Sequence, residues 1–362
     1  MSTTSEKTAA DLLLPKDIIV EILSKLPAKS LVRFRCVSKL FYALIADHGF
    51  GVLHRNLSLT LPNRAGILIR PKPLSSGSSH SYYTINFSEE NPQRPGMLQA
   101  NRLGYLDAEP FLEGCLHSSS DGLICLSRPN GDVVVCNVST GQRISLPTIQ
   151  FHSPYPSLSC AHLGFDSQSK RYKVLMSACM IDRGSRPIRF EYKHWVLTVG
   201  VDKSWREINY PCSYPFYPFD DYACSNFCYD TSVYIDGVIY FYNWLTKVDY
   251  PSFHIVAFEV GSESYSLIPF PADLSSSSQY YVVFSSASEE YHFLNGNFAF
   301  LQVDGGRLAI VLVRQEGIGI DRVFYMDVWT WEKSQQSWEK ITMTIPFEET
   351  RTTFRLEDVN NF

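Results

Sequence analysis

Residues 12–55 read LLLPKDIIVEILSKLPAKSLVRFRCVSKLFYALIADHGFGVLHR, and their spacing decides how the rest of the chain is read. Leu12 to Leu14 lead into Pro15, whose missing N–H suits the first turn of a helix, so a helix starts at Pro15 or Lys16. Asp17 in the first turn and Lys25 in the last complement the macrodipole, and Glu21 stands four residues before Lys25. Pro27 stops the helix. Its apolar residues, Ile18, Ile19, Val20, Ile22, Leu23 and Leu26, fill more than one narrow stripe, so a single neighbouring helix cannot cover them. A second short helix is expected from Ala28 to about Phe34, and a third from Ser38, a good N-cap, to about Ala46. Leu31, Phe34, Val37, Phe41, Leu44 and Ile45 recur at helical spacing. A unit of roughly 45 residues is only marginally stable alone. It is either a cap buried against the rest of the chain or a docking surface for a partner.

Leu14 and Pro15, Ile18, the pair Ile22 and Leu23, Leu26 and Pro27, then Ser30, Leu31, Phe34, Cys36, Val37 and Ser38 give the segment a resemblance to the F-box. The resemblance implies a three-helix module that docks on a Skp1-type adaptor, which ties it to cullin and a RING subunit in a ubiquitin ligase. It assigns the adaptor interface to Leu14, Pro15, Ile18, Ile22, Leu23, Leu26, Pro27, Leu31, Phe34, Val37 and Phe41, some of which must instead hold the helices together. Phe41 stands where many F-boxes have Trp, which keeps the aromatic packing but loses the indole donor.

At 362 residues, 45% of them hydrophobic and 14% aromatic, the chain can bury a large core, and one small helical domain plus one large domain fits the length. The net charge is −5, yet residues 1–60 hold eight Lys or Arg against five Asp or Glu, leaving −8 for the remainder. Lys25, Lys29, Arg33, Arg35 and Lys39 concentrate the positive charge: a solvated helical face, or rim contacts that steer an acidic adaptor. No basic stripe is present in the rest, which argues against nucleic acid. Nine cysteines are scattered without CxxC pairs, Cys224 and Cys228 coming closest, and His152, Cys160 and His162 form only a weak grouping, so no metal or other cofactor is expected. Residues 1–11 read as a polar tail without an apolar leader, and no run is long enough to span a membrane, which points to a reducing intracellular compartment, cytoplasm or nucleus.

After Arg55 the pattern changes to short apolar or alternating runs bounded by Gly, Pro, Asn, Asp or Ser, among them Gly122 to Leu126, Val133 to Asn137, Tyr172 to Met176, Val238 to Tyr242 and Leu308 to Val313. These are strands. One phrase recurs: a strand, a turn, then a strand led by a large or apolar residue, at Val134 to Pro147, Leu197 to Ile208 with Trp205, Ala257 to Pro269 with Tyr265, and Val328 to Ile341 with Trp338. Each is a hairpin whose second strand plants a ring between neighbouring sheets. Small sheets that cannot bury both faces alone favour radial stacking, so a kelch-like β-propeller is the expected fold of the large all-β domain, with a β-sandwich as runner-up. Recurrence every 60–70 residues leaves room for blades without the signature.

HSSSDGLICL, VCNVSTGQRISLP, HLGFDSQSKRYKVL, WVLTVGVDKSWREI, SVYIDGVIYF, HIVAFEVGSESYSLIPFP and DVWTWEKSQQSWEKI resemble the plant F-box-associated interaction domain, most clearly over residues 110–345. Val138 stands where that family usually has Pro. The order implied is a tail at 1–11, F-box at 12–55, β domain at 56–345 and a C-terminal tail or closing segment at 346–362. The resemblance implies a non-catalytic substrate receptor of an SCF-type ligase acting on a protein substrate. Two other classes are compatible with the residues: a carbohydrate-binding or carbohydrate-active propeller, and an F-box scaffold acting outside ubiquitination.

No G-x-S-x-G elbow, Walker loop, HExxH or dinucleotide fingerprint is present; Arg322 stands where Gly317 and Gly319 would need a third Gly. Asp220 with Asp221 and Glu289 with Glu290 are sequence neighbours, which does not aim two carboxylates at one site. The most unusual stretch is 210–229, YPCSYPFYPFDDYACSNFCY. Its prolines preclude a central strand, and Tyr214, Phe216, Tyr217, Phe219 and Tyr222 offer rigid rings beside Asp220 and Asp221: a recognition loop, or an insertion folded onto its own sheet.

Overall fold

The structure is a computed structural model, and it describes residues 14–61, 66–69, 83–90, 98–104, 115–128, 130–150, 158–182, 189–208, 232–247, 250–275, 298–303, 306–316 and 323–345. The chain divides into two compact units, one holding the N-terminal helices and a three-stranded sheet, the other four four-stranded sheets.

Four helices open the chain: α1 (Lys16–Ser24), α2 (Ala28–Phe34), α3 (Lys39–Ala46) and α4 (His48–Thr60). Pro15 and Pro27, both with φ near −60°, stand as N-caps of α1 and α2, where their missing N–H is no loss. Ser38 Oγ accepts the Phe41 N–H at 3.1 Å and starts α3. The fourth helix is an addition to the three expected from spacing, started by Asp47, whose carboxylate accepts the Phe50 N–H at 3.0 Å. Ile19, Leu23, Leu31, Leu44 and Phe50 form the core, with Phe34 edge-on to Phe41 at 5.8 Å beside it. The imidazole of His54 bonds the Leu26 carbonyl at 2.9 Å, pinning α4 to the end of α1. Strands β1 (Gly66–Ile69), β2 (Tyr83–Glu90) and β3 (Leu98–Arg102) form the antiparallel sheet of this unit.

The second unit repeats one pattern. Sheet I is β4 (Cys115–Ser120), β5 (Leu123–Ser127), β6 (Val133–Asn137) and β7 (Arg143–Ser145); sheet II is β8 (Leu158–Asp166), β9 (Arg171–Asp182), β10 (Arg189–Thr198) and β11 (Arg206–Ile208). Sheet III is β12 (Ser232–Ile235), β13 (Val238–Lys247), β14 (Tyr250–Glu259) and β15 (Ser264–Pro269), followed by one turn of helix, α5 (Ala272–Ser275); sheet IV is β16 (Phe298–Val303), β17 (Arg307–Glu316), β18 (Val323–Glu332) and β19 (Ser337–Ile345). Every sheet is an antiparallel meander in chain order. All four recurring phrases are the hairpin of the third and fourth strands, and each of these sheets carries one, so the 60–70-residue recurrence is one four-strand sheet plus its connection. Four such sheets stand among the described residues of this unit.

Side-chain alternation explains the stacking. On β9, Val174, Met176 and Ala178 enter a core shared with sheet I, whereas Leu175 enters one shared with sheet III. On β14, Val256 and Phe258 meet sheet II while Ile255 and Ala257 meet sheet IV. Sheets II and III are therefore apolar on both faces and bury both. The first strands lie together: β4 against β8 and β12, and β12 against β8 and β16. Asp121-Gly122 and Asp236-Gly237 all have positive φ and close the first hairpins of sheets I and III as type I′ turns.

The seams have their own fastenings. The indole N–H of Trp205, at the start of β11, donates to the carbonyl of Pro147 beyond β7, and that of Trp338, at the start of β19, donates to the carbonyl of Pro269 at 2.8 Å. The same clasp thus ties sheet II to I and sheet IV to III. Between II and III, Lys173 donates to Asp166 at 3.1 Å, to Glu263 at 3.0 Å and to the Val260 carbonyl at 3.1 Å, and Arg206 caps Glu263. Tyr234 donates its hydroxyl to the Phe165 carbonyl at 2.9 Å and accepts the Gly237 N–H at 3.0 Å. Gly164 lies so near sheet III that a Cβ there would meet Val260 Cγ2 at 2.5 Å and Ile239 at 3.1 Å.

Candidate docking surface

Helix α1 separates residues that look alike in the sequence. Ile19 and Leu23 enter the core, while Leu14, Ile18 and Ile22, spaced by four, form a row 41–50% exposed. Pro15 and Pro27 are exposed at its two ends, and Val37, at the bend between α2 and α3, is 64% exposed. About half of each aliphatic side chain in the row is still in water, so covering it yields roughly 1 kcal/mol per residue at ~25 cal/mol per Å². Of the eleven residues expected at the adaptor interface, Leu14, Pro15, Ile18, Ile22, Pro27 and Val37 are presented outward. Leu23 and Leu31 are buried, and Leu26, Phe34 and Phe41 are half-buried against the same core.

Lys25, Lys29, Arg33 and Lys39 are exposed, and Arg35 lies over the Tyr42 ring, its guanidinium carbon 4.8 Å from the centroid. Lys25 bonds Glu21 at 2.8 Å, and that hydrogen bond and the ammonium's charge lower the Glu21 carboxyl below its ordinary value. Both are well exposed, so the pair fixes geometry more than stability. Tyr42, Leu53 and Leu59 are further exposed apolar residues that helical spacing does not single out. Tyr42 is one more ring within the third helix, and Leu53 and Leu59 belong to the helix the pattern does not show.

The candidate recognition residues Tyr214, Phe216, Tyr217, Phe219, Asp220, Asp221 and Tyr222 lie outside the described residues, as do Cys224, Cys228, Glu289, Glu290, Gly317, Gly319 and His152. Cys160 and His162 are two apart on β8, and the imidazole of His162 stacks on Phe241 at 4.5 Å. Burial pushes the Cys160 thiol up to about 12, away from the thiolate that a ligand or nucleophile requires. Burial likewise holds His194 down to about 3, its Nδ1 2.9 Å from Ser177 Oγ. Among the described residues no three His, Cys, Asp or Glu come together as a metal site, and no helix is long and apolar enough to cross a membrane.

A small helical unit with an exposed apolar row is followed in the chain by a domain of four-stranded antiparallel sheets. The profile of the F-box domain matches residues 12–53, and that of the F-box associated beta propeller domain matches residues 79–360. The chain belongs to this family of F-box proteins with an F-box associated beta propeller domain. An F-box protein of Arabidopsis thaliana is 28% identical over 343 residues, covering 92% of this chain and 69% of the relative. A second from the same plant is 32% identical over 66% of this chain and 49% of the relative, and an F-box/kelch-repeat protein is 28% identical over 72% and 58%. The chain spans about three fifths of the length of several relatives it matches. Among solved structures, a beta-fructofuranosidase of Bombyx mori aligns with a TM-score of 0.29 at 9% identity, covering 83% of this chain and 56% of that one. A likeness at that level carries no argument.

Proposed function

We propose that this chain is the substrate-recognition subunit of an SCF-type ubiquitin ligase: its F-box docks on a Skp1-type adaptor, and through it on cullin and a RING subunit, while its β domain holds a protein substrate. The row of Leu14, Ile18 and Ile22 carries the reading. A helix that buries Ile19 and Leu23 but leaves three aliphatic neighbours in water has a face prepared for a partner. The exposed Lys25, Lys29, Arg33 and Lys39 suit an acidic adaptor and influence the rate of encounter more than final affinity. Transfer of ubiquitin belongs to other subunits, so the chain contributes proximity, raising the effective concentration of substrate beside the conjugating enzyme.

The sheets are the blades of a kelch-like propeller in this reading, supported by first strands that lie together and by sheets II and III buried on both faces. In this reading the aromatic segment with Tyr214, Phe216, Tyr217, Phe219 and Tyr222 takes the substrate, Asp220 and Asp221 favouring a basic feature on it. The receptor works in the cytoplasm or nucleus. Capture of a purified plant Skp1-type adaptor by the full chain tests the reading. Ile18→Ala with Ile22→Ala lowers capture at least tenfold and leaves the thermal midpoint unchanged, because neither side chain is part of the core. Capture equal to wild type, or no capture by any adaptor, removes the row from the interface.

A further inference from the structure

None of the residues expected to meet the adaptor lies on α4. Those that face outward fall into two groups: Leu14, Ile18 and Ile22 along α1 with Pro27 beyond its end, and Val37 at the bend between α2 and α3. A partner that covers both groups needs them at one fixed separation. α4 packs against α1 and against α3, so it spans from one group to the other.

Its fastening to α1 lies at the corner that leads into α2. In a continued helix the Ser30 N–H would take the Leu26 carbonyl, but past Pro27 it donates to the Pro27 carbonyl instead, at 2.9 Å. The Leu26 carbonyl accepts from Nε2 of His54 at 2.9 Å, so that nitrogen carries the proton. His54 is itself held in place: its ring stacks on that of Phe50, a core residue, at 6.3 Å, and its carbonyl accepts the Ser58 hydroxyl at 2.7 Å. A ring seated on the core thereby fixes a corner 28 residues away in sequence. We propose that His54 is a positioning residue for adaptor docking, setting the α1 row in register with Val37 through the Leu26 carbonyl. The proposal rests on the docking reading above. His54 acts by pre-organisation: without its bond the corner turns the carbonyl to water, and the two groups are no longer presented together.

Capture of a purified plant Skp1-type adaptor by the full chain tests this. The amide nitrogen of Gln lies as many bonds from Cβ as Nε2 of His, whereas that of Asn falls short. His54→Asn lowers capture about fivefold, the worth of one hydrogen bond, while His54→Gln stays within about twofold of wild type. His54→Phe keeps a ring on Phe50 without the donor, so it reports on the bond even where His54→Asn loosens the helices; its loss is also about fivefold. Positioning differs from plain stability in its dependence on the second group. In a Val37→Ala background, which leaves the core intact, only the α1 row remains to be placed, and His54→Phe then costs less than about twofold. Equal capture by wild type and His54→Phe, equal losses in His54→Gln and His54→Asn, or the full loss in the Val37→Ala background overturns the proposal. If Ile18→Ala with Ile22→Ala abolishes capture and His54→Phe does not, only the role of His54 falls. No capture by wild type removes the docking reading and this role with it.

Discussion

Gly164→Ala puts one methyl group into the seam between sheets II and III. The backbone there does not require glycine for its φ, so the effect is purely steric. The new Cβ would lie 2.5 Å from Val260 Cγ2 and 3.1 Å from Ile239 Cδ1 and Cγ1, and Val260 and Ile239 are themselves 0% and 1% exposed. Both neighbours are buried in one core cluster, so β8 must shift or Val260 must leave its rotamer. Overpacking of this kind costs ~1–3 kcal/mol. Val260→Ala alone leaves a void and costs a similar amount, ~1–3 kcal/mol. In the double variant the methyl group added on β8 occupies the space that Val260 gave up, so the losses do not add, and a coupling of ~1–2 kcal/mol is expected. Urea unfolding of the four proteins, followed by tryptophan fluorescence, supplies the cycle. Additivity within ~0.5 kcal/mol, or a Gly164→Ala protein as stable as wild type, refutes the close approach of β8 to sheet III.

Acid acts on the same seam. Burial raises the Asp166 carboxyl, but hydrogen bonds from the Ser169 hydroxyl, the Gln168 amide and Lys173 outweigh it and bring the value from 3.8 down to about 2. A depressed carboxyl contributes stability that is complete above its unfolded value and is lost as pH falls from about 4 to about 2, ~2 kcal/mol here. Urea midpoints of wild type and Asp166→Asn should therefore converge across that window; parallel curves would refute the assignment. Trp205→Phe and Trp338→Phe keep a ring but remove the donor to Pro147 and Pro269, so each should cost ~1 kcal/mol by thermal melts, and the two should match if the clasp is one device used twice. Loss of stability in only one variant would make the other contact incidental.

Helix starts were legible because Pro15, Pro27 and Ser38 are chemically unambiguous there. Helix α4 was not: Asp47 follows Ala46 without a break, and Gly49, Gly51, Asn56 and Ser58 dilute the pattern. The strands announced themselves where β-branched and aromatic residues cluster, as in β6 and β13, but β4, CLHSSS, carries three serines, and β8, LSCAHLGFD, holds a glycine that only the proximity of Val260 explains. Short apolar runs also understate length, since β9 continues past Ser177 to Asp182 and β17 through Arg314 and Gln315 to Glu316. In α1, Ile18 beside Ile19 and Ile22 beside Leu23 are the same kind of residue, so composition cannot say which face is covered; a step of about 100° around the axis decides it.

The uncovered row on α1 also bears on how the chain fares before it meets anything. Three half-wetted aliphatic side chains, Ile18 and Ile22 on α1 and Leu14 just ahead of it, invite the attention of chaperones and proteases, which read exposed apolar surface as incomplete assembly. If the row docks on an adaptor as proposed, molecules made in excess of that adaptor are expected to be turned over fastest, a pulse-chase at two adaptor levels being the check.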